Sequence, residues 1–202
     1  MFDSKILVSS LINDLVDEVD IAIDIPNSYY VSWLNALEQL LYSEIIKEQK
    51  EIILPFPDDN KIDLLELEHS YDESDIRFED IHAVYAGKKQ LIKTTITSGV
   101  IFPDTYFKTN NCLGVSASFP EEIKIVYYVR PALKEIDAQG KLIDSTIMVP
   151  VEFIDLVRAK LRGEAYKVAN EDALAAKWLN DYNVLLDTFS VWVANKSSNF
   201  GI

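Results

Sequence analysis

The chain has 202 residues, 49% of them hydrophobic and 26% charged. That is enough apolar material for a sizeable core and lies outside the low-hydropathy, high-charge range of disordered chains. The formal charge of −14 argues against tight binding to a phosphate backbone, which needs a basic footprint.

No apolar run reaches the roughly 18–20 residues that span a bilayer. The start, Met1-Phe2-Asp3-Ser4-Lys5, lacks the basic region and small-residue cleavage site of a signal peptide. A soluble protein made in a cytosol is expected. Cys112 is the one cysteine, so no internal disulfide forms and no Cys/His cluster exists to hold zinc.

Residues 4–18 read as a first helix, with Ser4 or Asp3 as cap and Leu7, Leu11 and Leu15 at helical spacing. Asp14, Asp17 and Glu18 crowd its C-terminal end, where the helix dipole disfavours acids, so that end is expected to fray. A second helix is expected over 27–50, capped by Asn27 or Ser28. Its wide apolar stripe is Tyr30, Trp33, Leu34, Leu37, Leu41 and Ile45, with Glu38, Glu44, Lys47 and Glu48 off the stripe.

Pro55 and Pro57 break that pattern, and the chain to 149 reads as β-rich. Strands are expected at 62–67, 82–85, 91–97, 105–109, 114–119 and 122–129. The second and third pair as a hairpin across Ala86-Gly87, and the fourth and fifth flank Asn110-Asn111. The sixth is the clearest: Ile123, Ile125, Tyr127 and Val129 alternate onto one face before Pro131 stops it. Residues 142–149 are extended or lead into the next element.

Pro150 opens a third helix carrying Val151, Ile154, Val157, Leu161, Ala165 and Val168. Asn170 is the expected cap of a fourth, which carries Leu174, Trp178, Tyr182, Leu185, Phe189 and Trp192. The short link makes these an antiparallel hairpin or one sharply bent helix. Residues 195–202 read as a flexible tail.

The acidity is uneven. Residues 51–80 hold eleven acids against Lys61 and Arg77, a net of −9. Asp72, Glu73 and Asp75 lie within four residues, but no calcium-loop glycine or twelfth-position glutamate follows them. A solvated acidic segment is the expected state. There is no phosphate-cradling glycine loop, no dinucleotide fingerprint and no nucleophile elbow. His69 and His82 fit no triad or metal spacing, and Cys112 reads as a small apolar strand residue. The sequence therefore predicts no catalytic residue, no metal and no cofactor. Alternatives are an acidic DNA mimic and, more remotely, a carboxylate-based enzyme acting on polysaccharide.

Three phrases carry a resemblance. The first is Ile25-Pro26 followed by Tyr29-Tyr30-Val31-Ser32-Trp33-Leu34-Asn35-Ala36-Leu37-Glu38-Gln39-Leu40-Leu41-Tyr42. The second is Ile123-Lys124-Ile125-Val126-Tyr127-Tyr128-Val129-Arg130-Pro131. The third runs from Pro150-Val151-Glu152-Phe153-Ile154 to Glu164-Ala165-Tyr166-Lys167-Val168-Ala169-Asn170-Glu171-Asp172. With the order of elements around them, they resemble the head–tail connector (adaptor) proteins of tailed bacteriophages, over nearly the whole chain.

The resemblance implies an α+β fold: a four-helix bundle from residues 1–54 and 150–202, with an antiparallel β subdomain inserted at 55–149. It implies a ring, usually of twelve copies, at the head–tail junction of the virion. The ring would bind the portal protein above and tail or stopper proteins below, and pass DNA through its lumen without specific binding. Asp63, Glu66, Glu68, Asp72, Glu73 and Asp75 become channel-facing or solvated acids, whose charge keeps DNA from sticking. Asn195, Lys196, Ser197, Ser198, Asn199, Phe200, Gly201 and Ile202 become the portal-contacting tail.

Overall fold

A computed structural model describes residues 6–70, 81–95, 102–109, 111–118 and 122–199. The fold is α+β, with five α-helices and two β-sheets among those residues. The chain divides into two compact units: Met1–Ile46 with Leu133–Ile202, and Lys47–Ala132.

The first unit is helical. Helix α1, Val8–Glu18, buries Val8, Leu11, Ile12 and Leu15, one stripe at steps of three and four. It begins later than its sequence suggests because Ile6 to Val8 pair with the returning chain: Val8 N–H donates to the Ser145 carbonyl and Ile147 N–H to that of Ile6. The expected caps Asp3 and Ser4 fall outside the described residues. The acidic end of α1 does not stop short. Arg158 and Arg162 of α4 (Ile154–Val168) reach Asp14, at 3.6 Å, and Glu18. Two cations four residues apart thus answer two carboxylates four residues apart.

Helix α2, Asn27–Leu40, starts at Pro26 without a side-chain cap, so Asn27 and Ser28 lie inside it. It widens into a π-helical segment, Leu41–Ile46, and ends at Lys47, whose φ of 47° is left-handed. The helix expected to run to Lys50 therefore stops short, and Gln49–Leu54 form strand β1 instead.

Pro150 and a 3₁₀ turn, Val151–Phe153, lead into α4. Asn170, expected to cap the next helix, instead closes this one. At φ 60° it lets Glu171 N–H reach back to the Tyr166 carbonyl and Asn170 N–H to that of Lys167, the Schellman pattern. Helix α5, Asp172–Asn199, then runs antiparallel to α4. Gly163 faces Leu179, Lys160 lies over the Tyr182 ring and Phe153 packs on Phe189, so contacts descend along α4 as they ascend along α5. The tail read as flexible is helical through Asn199. Helix α4 also packs against α1 and α2, and α5 against the π-helical segment.

The second unit holds both sheets. One has the order β1-β8-β3-β4, all antiparallel, with β8 (Ile123–Tyr128) between β1 and β3 (Ile81–Ala86) and β4 (Lys89–Gln90) on the outside of β3. Ile123, Ile125, Tyr127 and Val129 are buried, as their alternation predicts, with Ile52, Ala83 and Val84 as neighbours in the core. The other sheet has the order β2-β7-β6-β5: Lys61–Asp63, Cys112–Ser116, Thr105–Lys108 and Ile92–Lys93. It is mixed, because β5 runs parallel to β6.

Two expectations fail here for local reasons. The run 62–67 is strand only to Asp63, whose carboxylate accepts the Leu65 and Glu66 N–H groups and so caps helix α3, Leu64–Ser70. The hairpin expected between 82–85 and 91–97 closes earlier. Gly87 at φ 55° turns β3 into β4, Lys89–Gln90, and Ile92–Lys93 pass to the other sheet.

Candidate assembly surfaces

The acids proposed to face a channel are only partly described. Asp63 and Glu66 are exposed, one at the start of α3 and one in its first turn. Glu68 lies in the same helix, and Asp72, Glu73 and Asp75 fall outside the described residues. In the proposed tail, Asn195 and Lys196 are exposed on the last turns of α5, with the Lys196 ammonium 4.3 Å from the Trp192 ring centre. Ser197, Ser198 and Asn199 complete that helix, and Phe200, Gly201 and Ile202 lie outside the described residues.

Cys112 is half-buried at the start of β7. Exposed His82 accepts or donates a 3.3 Å hydrogen bond at Nδ1 with the Tyr128 hydroxyl, across β3 and β8. His69 falls in α3. Among the described residues, no three His, Cys, Asp or Glu side chains converge to hold a metal ion, and no helix is long and apolar enough to cross a membrane.

The polar chemistry of the helical unit sits where the sequence pattern did not place it. Glu38, read as lying off the stripe of α2, is 1% exposed and forms an ion pair with Lys134, 4% exposed, at 3.2 Å. Its other oxygen accepts the Met148 N–H at 2.6 Å. One turn away, Asn35 accepts the Lys134 N–H and donates to the Lys134 carbonyl. Tyr42 donates to the Met148 carbonyl. Thus Asn35 and Glu38 of α2 and Tyr42 of the π-helical segment that continues it hold both ends of the segment 133–149 that returns to α4. A usable signal was present: Glu38 sits four residues after Leu34 and three before Leu41, inside the buried stripe. Its partners are about a hundred residues away, and no local pattern identifies them.

Sequence reading also missed a pinned corner in the β unit. Asp104, at φ 60°, accepts from the Lys89 ammonium at 2.6 Å and from both the N–H and hydroxyl of Ser118. The Lys89 hydrogen bond, then those from Ser118, hold its carboxyl down at about 2. Burial raises the phenols of Tyr30, Tyr106 and Tyr182, and the Asp24 carboxylate adds to the effect at Tyr30.

Two open clefts mark the helical unit. A groove of about 510 Å³ between α4 and α5 is lined by Arg158, Arg162, Trp178, Asp181 and Val184. Its arginines already answer Asp14, Asp155 and Glu18, and Arg162 lies 4.6 Å from the Trp178 ring centre. A smaller cleft of about 300 Å³ lies between the end of α1 and the start of α2, lined by Val16, Val19, Ile21, Ile23, Asp24 and Tyr30.

No protein-family model matches the chain, and no curated protein matches it in sequence.

Proposed function

We propose that this chain is the subunit of a head–tail connector ring of a tailed bacteriophage. One observation carries the reading. Residues from both ends of the chain build a single compact helical unit, and the intervening Lys47–Ala132 form a separate β unit. That is the order of elements on which the resemblance rests. In this reading α1, α2, α4 and α5 are a four-helix bundle that forms the ring body, and the β unit is its inserted subdomain. The last turns of α5 and residues 200–202 reach the portal protein. Exposed Asp63 and Glu66, together with Glu68, Asp72, Glu73 and Asp75, belong to an acidic surface that lets DNA pass without sticking.

The role is then performed by surfaces, not by a reaction. The buried Asn35–Glu38–Tyr42 clamp holds segment 133–149 against the helical unit to which it belongs.

The experiment is co-expression with the portal protein encoded by the same genome, followed by affinity capture of portal and electron microscopy. A ring of this chain on the portal's tail-facing end is the expected result. The DNA-mimic reading is favoured by one observation: residues 6–46 carry seven acids and no lysine or arginine. It predicts no portal binding, and competition with DNA for a DNA-binding enzyme.

A further inference from the structure

The cleft between α1 and α2 has the character of a docking site, and the opposite character occurs elsewhere on the same chain. Its floor is Val19, Ile25 and Tyr30, all buried; Val16 and Ile23 stand exposed at its mouth. Asp24 lines it, and Asp17 and Asp20 directly follow its lining residues Val16 and Val19; all three acids are exposed. Among the described residues no cation pairs with any of the three; the α4 arginines, Arg158 and Arg162, pair with Asp14 and Glu18. An apolar slot with an uncompensated acidic rim favours an aliphatic anchor flanked by cations.

The β unit carries such an element. Lys88, in the turn with Gly87, is exposed. Ile92 and Lys93 are exposed on the edge strand β5, Ile92 at 69%. Phe102, 60% exposed, stands nearby: the Ile92 N–H donates to the Asp104 carbonyl two residues on. Lys89 in the same stretch is held by Asp104, but no carboxylate among the described residues pairs with Lys88 or Lys93. An exposed isoleucine on the outer strand β5, with two exposed lysines that no described carboxylate pairs, matches the cleft in both polarity and charge.

We infer that the α1–α2 cleft of one copy receives the Lys88–Ile92–Lys93 edge of a second copy. The two surfaces differ, so the contact can repeat head to tail from copy to copy, the kind that generates rings when the rotation closes. The inference rests on the connector reading and names the contact that joins neighbouring subunits. Ile92 fills the slot beside Val16 and Ile23, and the lysines meet Asp17, Asp20 and Asp24. Because the charges sit at the rim, association weakens as salt rises.

A charge swap tests it on the full chain by sedimentation velocity. Wild type is expected to associate at high protein concentration and low salt. Lys88→Glu/Lys93→Glu should weaken this about tenfold or more, and so should Asp17→Lys/Asp20→Lys/Asp24→Lys. An equimolar mixture of the two variants should associate again, because each cleft then meets an edge of opposite charge. That recovery also shows that both variants are folded. A wild-type chain that stays monomeric under these conditions overturns the assignment. So does association that neither variant weakens, or a mixture that fails to recover. Portal capture of the wild type, run alongside, separates the two claims: portal binding without this self-contact removes the contact and leaves the connector reading standing.

Discussion

The Glu38–Lys134 pair supplies the sharpest stability test. At 3.2 Å the gross attraction of two unit charges is about 5 kcal/mol at an effective dielectric near 20. Desolvation offsets most of that, since the side chains are 1% and 4% exposed. Removing one partner leaves the other charge buried alone, which costs about 3–5 kcal/mol. Lys134→Met should therefore destabilise the helical unit by that amount. Glu38→Leu should cost at least as much, because the Met148 N–H also loses its acceptor, worth about 1–3 kcal/mol. The double variant keeps only the loss at Met148, so it should be more stable than either single change. The three tryptophans, Trp33, Trp178 and Trp192, all belong to the helical unit, so urea unfolding followed by tryptophan fluorescence reports that unit directly. Additive single effects, or a Lys134→Met cost below about 1 kcal/mol, would refute the buried-pair reasoning.

Three further outcomes follow from particular contacts. Gly163→Ala gains about 1 kcal/mol of helix propensity, but its Cβ would lie 2.7 Å from the Leu179 side chain. Overpacking of this kind costs about 1–3 kcal/mol, so a net loss of stability is expected in urea titration, and a gain would show that α5 shifts freely. Asn170→Ala puts an ordinary side chain at φ 60° and should cost about 1 kcal/mol, whereas Asn170→Gly should not; equal effects in thermal melts would contradict the Schellman assignment. The carboxyl of Asp104 is depressed to about 2, so its contribution is fully present above the unfolded value near 4 and is lost as pH falls from there towards 2. Asp104→Asn should flatten that part of the acid-unfolding profile of the β unit, and an unchanged profile would assign the acid sensitivity to other groups.

The elements legible in the sequence are those whose burial repeats locally. Strand β8 shows a period of two, and α1, α2 and α5 show steps of three and four. What was not legible depends on distant partners. Glu38 looks like a solvent-facing acid until Lys134 and Met148 arrive beside it. Lys50 looks like a helix end until β8 pairs with Gln49–Leu54. Asn170 and Asp63 show a different limit: a capping residue is recognisable, but which helix it serves depends on the φ it adopts and on the N–H groups it meets. In Asp63-Leu64-Leu65-Glu66 the capping pattern was present, yet the β-rich surroundings outweighed it. Of the proposed site, the exposure of Asp63 and Glu66 could be read from polarity, whereas the helical state of residues 195–199 could not, because their polar composition matches that of a tail.

As the connector subunit proposed above, this chain assembles with a portal protein through its helical unit. The most direct measurement is electron microscopy of the complex captured on the portal encoded by the same genome. The expected result is a closed ring of copies on the portal's tail-facing end, with the last turns of α5 against the portal. A portal that emerges without this chain bound, or with it bound as isolated copies that make no ring, would contradict it.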